Sequence, residues 1–214
     1  MFTKYGYNTI GIVSIVFFVL IVFSIFSQNN LLRIPLIIIA VVLIAFTLNF
    51  FRDPDRTVPN KSNIVVSPAD GRVLFIKDVI DDKFLNSKAK LVSIFMSPLN
   101  VHVNRIPITG KVEYVQYIKG DYIAAFEDKA SERNERNEIG ITGSAGKVLF
   151  TQIAGFVARR IISEVKVGDS VNIGNRFGMI KFGSRVDIIV PESFQVKVKK
   201  DDNVTAGETI LFEY

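Results

Sequence analysis

His102 is the only histidine among 214 residues, and the sequence contains no cysteine. Disulfides, iron–sulfur ligation and thiolate catalysis are therefore closed to this chain. With a single imidazole, no metal site is expected either, because zinc is seldom held by one histidine and carboxylates. A lone histidine is still the side chain whose unperturbed pKa suits proton transfer in both directions near neutrality. It lies in Met96-Ser97-Pro98-Leu99-Asn100-Val101-His102-Val103-Asn104-Arg105. An extended alternation there places His102 and Asn104 on one face and Val101 and Val103 on the other. Two other short segments carry groups that a histidine base can use. Asp70 falls in Ser67-Pro68-Ala69-Asp70-Gly71-Arg72-Val73, and Ser184 in Lys181-Phe182-Gly183-Ser184-Arg185-Val186-Asp187. Taken singly, each reads as structure: a strand histidine, an Asp-Gly turn pair and a Gly-Ser turn.

The elements that must position these groups divide unevenly along the chain. Hydrophobic residues make up 49% of the sequence, and the excess is concentrated in the first 51 residues. Residues 10–26 and 34–51 are apolar runs, each covering roughly 25–27 Å as a helix, slightly short of a hydrocarbon core. Ser27-Gln28-Asn29-Asn30 between them reads as a tight polar turn, with Pro35 near the first turn of the second helix, where proline is tolerated. Residues 1–51 are thus expected to form a helical membrane hairpin. Lys4 before it and Arg52 and Arg56 after it favour a cytoplasmic location for both ends. The net charge of +5, beside such an anchor, suits an anionic membrane surface. There is no block of basic residues and no nucleic-acid motif, so no nucleic-acid partner is expected.

After a charged linker with two prolines, Arg52-Asp53-Pro54-Asp55-Arg56-Thr57-Val58-Pro59-Asn60, the pattern changes. Residues 64–66, 71–77, 91–95, 110–118, 147–154, 187–190 and 194–198 are β-branched or aromatic runs of strand length between Gly, Pro, Asn and Asp. Residues 155–162 read as a short helix. Val167-Gly168-Asp169-Ser170-Val171-Asn172-Ile173-Gly174 echoes Lys200-Asp201-Asp202-Asn203-Val204-Thr205-Ala206-Gly207, with Asp, Val and Gly at the same offsets. Such turn-strand-turn units predict a mainly β (α+β) fold, with a barrel-sandwich-like domain over residues 52–214.

Together, these segments change the reading of the single residues. In its short form, the phosphatidylserine decarboxylase family is what this sequence resembles. The resemblance runs over about residues 52–192. It is carried in order by Pro68-Ala69-Asp70-Gly71, by residues 96–105, by Gln152-Ile153-Ala154-Gly155 with Ala158-Arg159-Arg160-Ile161, and by Phe182-Gly183-Ser184-Arg185. Lys129-Ala130-Ser131 with Asn134-Glu135-Arg136 adds a fifth block.

The resemblance implies a proenzyme that cuts itself between Gly183 and Ser184, giving a β chain 1–183 and an α chain 184–214 that stay partners. It implies an Asp70–His102–Ser184 triad, in which the histidine removes the serine proton and the carboxylate orients the histidine. The attack would leave an ester, then dehydroalanine, then a covalent pyruvoyl group at position 184 as the cofactor. That ketone would form a Schiff base with the substrate amine and act as electron sink during decarboxylation. The implied partner is a membrane lipid, phosphatidylserine, converted to phosphatidylethanolamine. Arg105, Arg159 and Arg160 are candidates for its phosphate, since guanidinium gives bidentate contacts. A homo-oligomer is compatible with the sequence. Two other readings stand beside this one: a membrane-tethered lipoyl-type carrier modified at Lys129 in Glu127-Asp128-Lys129-Ala130, and a decarboxylase of another seryl phospholipid such as archaetidylserine. Gly143-Ser144 is a second Gly-Ser pair, but it lacks the flanking Phe and Arg and reads as a flexible turn.

Overall fold

The computed structural model describes residues 1–121, 133–144, 146–155, 160–181 and 184–214. The chain separates into two compact units, Met1–Asp55 and Arg56–Tyr214.

The first unit is a pair of helices, α1 (Tyr7–Phe26) and α2 (Asn30–Phe50), packed on each other with the small side chains of Ser24 and Ala40 buried. The Asn29 side chain accepts a hydrogen bond from the Leu31 amide at 2.9 Å and so caps α2. That cap starts α2 earlier than the apolar run suggests. The two helices have 20 and 21 residues, about 30 Å each, and both are long and apolar enough to cross a bilayer. Pro35 consequently falls inside α2 and not in its first turn.

The second unit is mainly β. Its strands are β1 (Ile64–Val66), β2 (Gly71–Asp81), β3 (Ser87–Met96), β4 (Val103–Arg105), β5 (Gly110–Ile118), β6 (Arg136–Gly143), β7 (Gly146–Ala154), β8 (Arg160–Ser163), β9 (Ser170–Val171), β10 (Arg176–Lys181), β11 (Ser184–Pro191), β12 (Gln195–Val196), β13 (Asn203–Val204) and β14 (Ile210–Glu213). Among the described residues they form a curled eight-stranded antiparallel sheet, β13-β2-β3-β11-β7-β6-β5-β9, and two three-stranded sheets, β1-β14-β12 and β4-β10-β8. Alternation decides the faces. Val92, Ile94, Val186, Ile188, Val148 and Phe150 point into one continuous core.

On the opposite face, the β2–β3 hairpin tip folds back and lays Phe84 on Gly140, where any Cβ would come within 2.8 Å of the ring. Phe84 also stacks on Tyr114, with ring centroids 5.9 Å apart. Of the segment 155–162 that reads as a short helix, residues 156–159 lie outside the described residues, and 160–162 belong to strand β8. The β-branched Ile161 and Ile162 pair with Ile180 and Met179, and sheet pairing overrides a weak local preference.

The internal echo is realised as one turn used twice. Asp169 Oδ2 accepts from the Lys166 amide and Asp202 Oδ2 from the Lys199 amide, both at 2.8 Å. Each turn leads into a two-residue strand, β9 or β13, at opposite ends of the large sheet. Each unit then ends in a glycine of positive φ, Gly174 at 80° and Gly207 at 77°, a conformation that disfavours other residues.

Candidate active site

Ser184 is the first described residue of β11, which lies between β3 and β7 in the large sheet. In register it faces Met96 on β3 and Ala154 on β7. It has no solvent exposure, and its hydroxyl lies 3.7 Å from Met96 Sδ. A thioether is a weak acceptor, so this contact holds the hydroxyl only loosely.

His102 is also fully buried. Its Nδ1 is 2.9 Å from the carbonyl oxygen of Asn100. A carbonyl only accepts, so Nδ1 carries a proton and Nε2 is the basic nitrogen of the neutral ring. Just beyond it, the Arg105 amide donates to the Pro68 carbonyl at 2.9 Å and Asn104 Nδ2 reaches the same oxygen at 3.4 Å. These bonds tie the histidine segment to the turn bearing Asp70. The Asp70 carboxylate accepts from the Ala206 amide and from Arg56, each at 2.8 Å. Segments 67–71 and 96–105 and residue 184 thus meet at one end of the core.

A chain of buried amides runs into the same place. Asn137 Nδ2 donates to Gln152 Oε1 at 3.2 Å, and Gln152 Nε2 donates to Asn104 Oδ1 at 2.9 Å. Asn104 Nδ2 lies 3.8 Å from Met96 Sδ, the sulfur that also meets Ser184. Sequence reasoning placed Asn104 beside His102 on one face, but nothing in it linked Asn104 to Gln152 and Asn137. The available signal was three amide side chains at strand positions that otherwise call for apolar residues.

The three candidate phosphate ligands fare differently. Arg105 is buried, donates to the Gly174 carbonyl at 2.9 Å and packs its stem against Gly207. It therefore braces the two repeated turns where they converge. Arg160 is exposed at the start of β8 and pairs in register with Lys181 on β10. Burial, and then the positive charge of Arg160, push the Lys181 ammonium below its ordinary value. Lys181 was not singled out from sequence; its register pairing sets two cations across one ladder. Arg159, Gly183 and Lys129 lie outside the described residues.

Ser144 sits exposed in the turn between β6 and β7. A 390 Å³ cleft bounded by Lys61, Ile108, Thr142 and Tyr214 includes none of Asp70, His102 and Ser184. Ser184 is enclosed by strand pairing on both sides and His102 is wholly buried.

Ser184 and His102 are both wholly buried in this mainly β domain. A sequence model described as phosphatidylserine decarboxylase matches residues 43–212. The phosphatidylserine decarboxylase proenzyme of Chlorobium chlorochromatii (strain CaD3) is 47% identical over 215 residues, covering the whole of both chains. That of Chlorobium phaeobacteroides (strain BS1) is 51% identical over 172 residues, 80% of each chain. The proenzyme of Chlorobaculum tepidum is 48% identical over 172 residues, 80% of this chain and 79% of its own. The chain belongs to the phosphatidylserine decarboxylase family, and it is a decarboxylase of the carboxy-lyase class.

Proposed function

We propose that this proenzyme cuts its own backbone between Gly183 and Ser184, and that the mature form converts phosphatidylserine to phosphatidylethanolamine at the cytoplasmic face of the membrane. One observation carries the reading: Ser184 is a wholly buried strand-end serine whose hydroxyl rests on a thioether and not on a strong acceptor. A hydroxyl placed so gains little from staying where it is.

In the first stage, His102 Nε2 takes the Ser184 proton while Nδ1 stays bound to Asn100. Asp70, held by Arg56 and the Ala206 amide, supports the charge that builds on the ring. Ser184 Oγ attacks the carbonyl bonded to its own nitrogen; the carbon–nitrogen bond then breaks, the nitrogen takes the proton held by His102, and an ester remains. Elimination then leaves a carboxylate at Gly183 and dehydroalanine at 184, and hydrolysis of the latter releases ammonia and leaves the pyruvoyl group. The site fits this group. It takes no more room than the serine side chain, and the N–H it lacks falls at the very start of β11. A pyruvoyl ketone supplies an electrophile for the substrate amine and a sink for the electrons released with carbon dioxide. His102 Nε2 returns a proton to the substrate carbon. Lys181 and Arg160 take the lipid phosphate. The helix pair keeps the domain at the bilayer, and Lys4, Arg52 and Arg56 favour the cytoplasmic side.

Intact-mass measurement of the purified chain tests this directly. Two polypeptides are expected, the smaller beginning with a blocked residue 184 that an amine and borohydride label, and the pair should release carbon dioxide from phosphatidylserine vesicles. Ser184→Ala should stay whole and inactive. A wild-type chain that remains unbroken, or an alanine variant that still splits, defeats the proposal.

A further inference from the structure

We infer that Asn104 is a catalytic hydrogen-bond donor for self-cleavage, with Gln152 and Asn137 as the residues that position it. The inference rests on the serine chemistry proposed above and assigns a role to side chains that chemistry does not use.

An amide side chain offers an oxygen that accepts and a nitrogen that donates, and the two ends look alike in shape. Here the network distinguishes them. Gln152 Nε2 donates to the Ile162 carbonyl, which only accepts, at 3.4 Å, so Gln152 turns its oxygen to Asn137 Nδ2 and its nitrogen to Asn104 Oδ1. Asn104 is then left with its nitrogen pointing at Met96 Sδ and the Pro68 carbonyl. Each amide polarises the next, which strengthens the donor at the far end. All three side chains are at most 3% exposed, so no water competes with this order.

The donor end is also underused. Its contacts, 3.8 Å to a thioether and 3.4 Å to a carbonyl, are long or weak by ordinary criteria. The same sulfur also meets the Ser184 hydroxyl, at 3.7 Å. A nitrogen aimed beside the nucleophile, with little to hold it, is available for an oxygen that becomes charged. That charge appears when Ser184 Oγ adds to the carbonyl bonded to its own nitrogen, and preformed donors in a dry site act strongly on such an oxygen. A soft sulfur that touches both donor and nucleophile keeps them in place without satisfying either.

The test follows the full chain made by cell-free translation into vesicles, with cleavage timed by gel electrophoresis. Asn104→Asp keeps the acceptor for Gln152 and removes both N–H groups. It should slow cleavage about 100-fold or more, and hydroxylamine, which severs esters, should not restore the rate, because the ester forms too slowly. Asn104→Ser covers the case in which a buried carboxylate prevents folding, and it should be slowed similarly. Gln152→Leu should slow cleavage less, and should add almost nothing in an Asn104→Ser background, since Gln152 acts through Asn104. Cleavage of folded Asn104→Asp or Asn104→Ser at the wild-type rate overturns the inference. So does ester accumulation that hydroxylamine releases, or slowing in the double variant that simply multiplies the two single effects. If the wild-type chain itself fails to split, the serine proposal falls; a wild type that splits beside an unimpaired Asn104 variant removes only the present inference.

Discussion

Arg185 and Asp187, two residues apart on one face of β11, form a doubly hydrogen-bonded ion pair of 2.6 and 2.7 Å with side chains only 1% and 4% exposed. The guanidinium carbon also lies 4.7 Å from the centre of the Phe75 ring. Removing one partner strands a charge in the interior, which costs about 3–5 kcal/mol, whereas replacing both by apolar residues can be neutral. Asp187→Ala should therefore lose roughly that much stability, and Arg185→Leu with Asp187→Leu should recover most of it. Denaturant unfolding of the detergent-solubilised chain measures both. A loss for Asp187→Ala as small as that of an exposed pair, under about 1 kcal/mol, would show that water reaches the site.

Gly140 tests the folded-back hairpin. A side chain there meets Phe84 at 2.8 Å, and Phe84 is pinned by Lys147, whose ammonium sits 4.8 Å from its ring centre and 3.2 Å from its carbonyl oxygen. Gly140→Val should cost about 1–3 kcal/mol by overpacking. Phe84→Ala placed in the same chain should relieve part of that loss, and the unfolding midpoint reports both effects. Equal midpoints for wild type and Gly140→Val would mean that the tip lifts freely.

The contacts beside that hairpin predict two limbs in stability against pH. Burial alone would raise Glu138, but bonds from Lys83, Arg136 and Tyr114 outweigh it and hold the carboxyl below its ordinary value. A depressed carboxyl stabilises the fold above its unfolded pKa and loses that contribution as pH falls through the folded one. Tyr114 moves the other way, raised to about 12 by burial and then by Glu138. Its contribution is complete below the ordinary tyrosine value and disappears as pH rises towards about 12. Glu138→Gln should flatten the acid limb and Tyr114→Phe the alkaline one. Unchanged limbs in both variants would disprove the assignment.

Lys181 and Arg160 predict how the lipid is held. Lys181→Gln or Arg160→Gln should raise the KM for vesicles containing the anionic substrate more than it lowers kcat, and the wild-type KM should rise with salt as charges are screened. Because the Lys181 ammonium is depressed, its charge is lost at a lower pH than for an ordinary lysine, so KM should climb on the alkaline side and Lys181→Arg should suppress the climb. A substitution that lowers kcat alone would place these cations elsewhere in the cycle.

How much of this was legible beforehand depends on distance along the chain. Strands 64–66 and 110–118 match their sequence limits, because β-branched runs between turn residues are local signals. The Asp169 and Asp202 turns were visible as a repeat for the same reason. β6 and β10 were missed, since Asn-Glu-Ile-Gly-Ile-Thr-Gly and Arg-Phe-Gly-Met-Ile-Lys carry glycine and charge and form strands only through their neighbours. Arg105 was a candidate phosphate ligand because guanidinium gives bidentate contacts. Its burial depends on two turns, around Gly174 and Gly207, that converge only in the folded chain. The link from Asn104 to Gln152 crosses 48 positions, and no local pattern carries it.

The position of β11 has a consequence for what self-cleavage leaves behind. Everything from Ser184 onward is threaded through the older part of the molecule: β11 is sandwiched between β3 and β7, β13 borders β2, and β14 borders β1. Severing the backbone ahead of Ser184 would therefore yield a fragment with no independent life, a keystone inserted during synthesis that cannot be swapped afterwards. Separately made fragments should assemble poorly, and any damage to the small one would retire the whole enzyme.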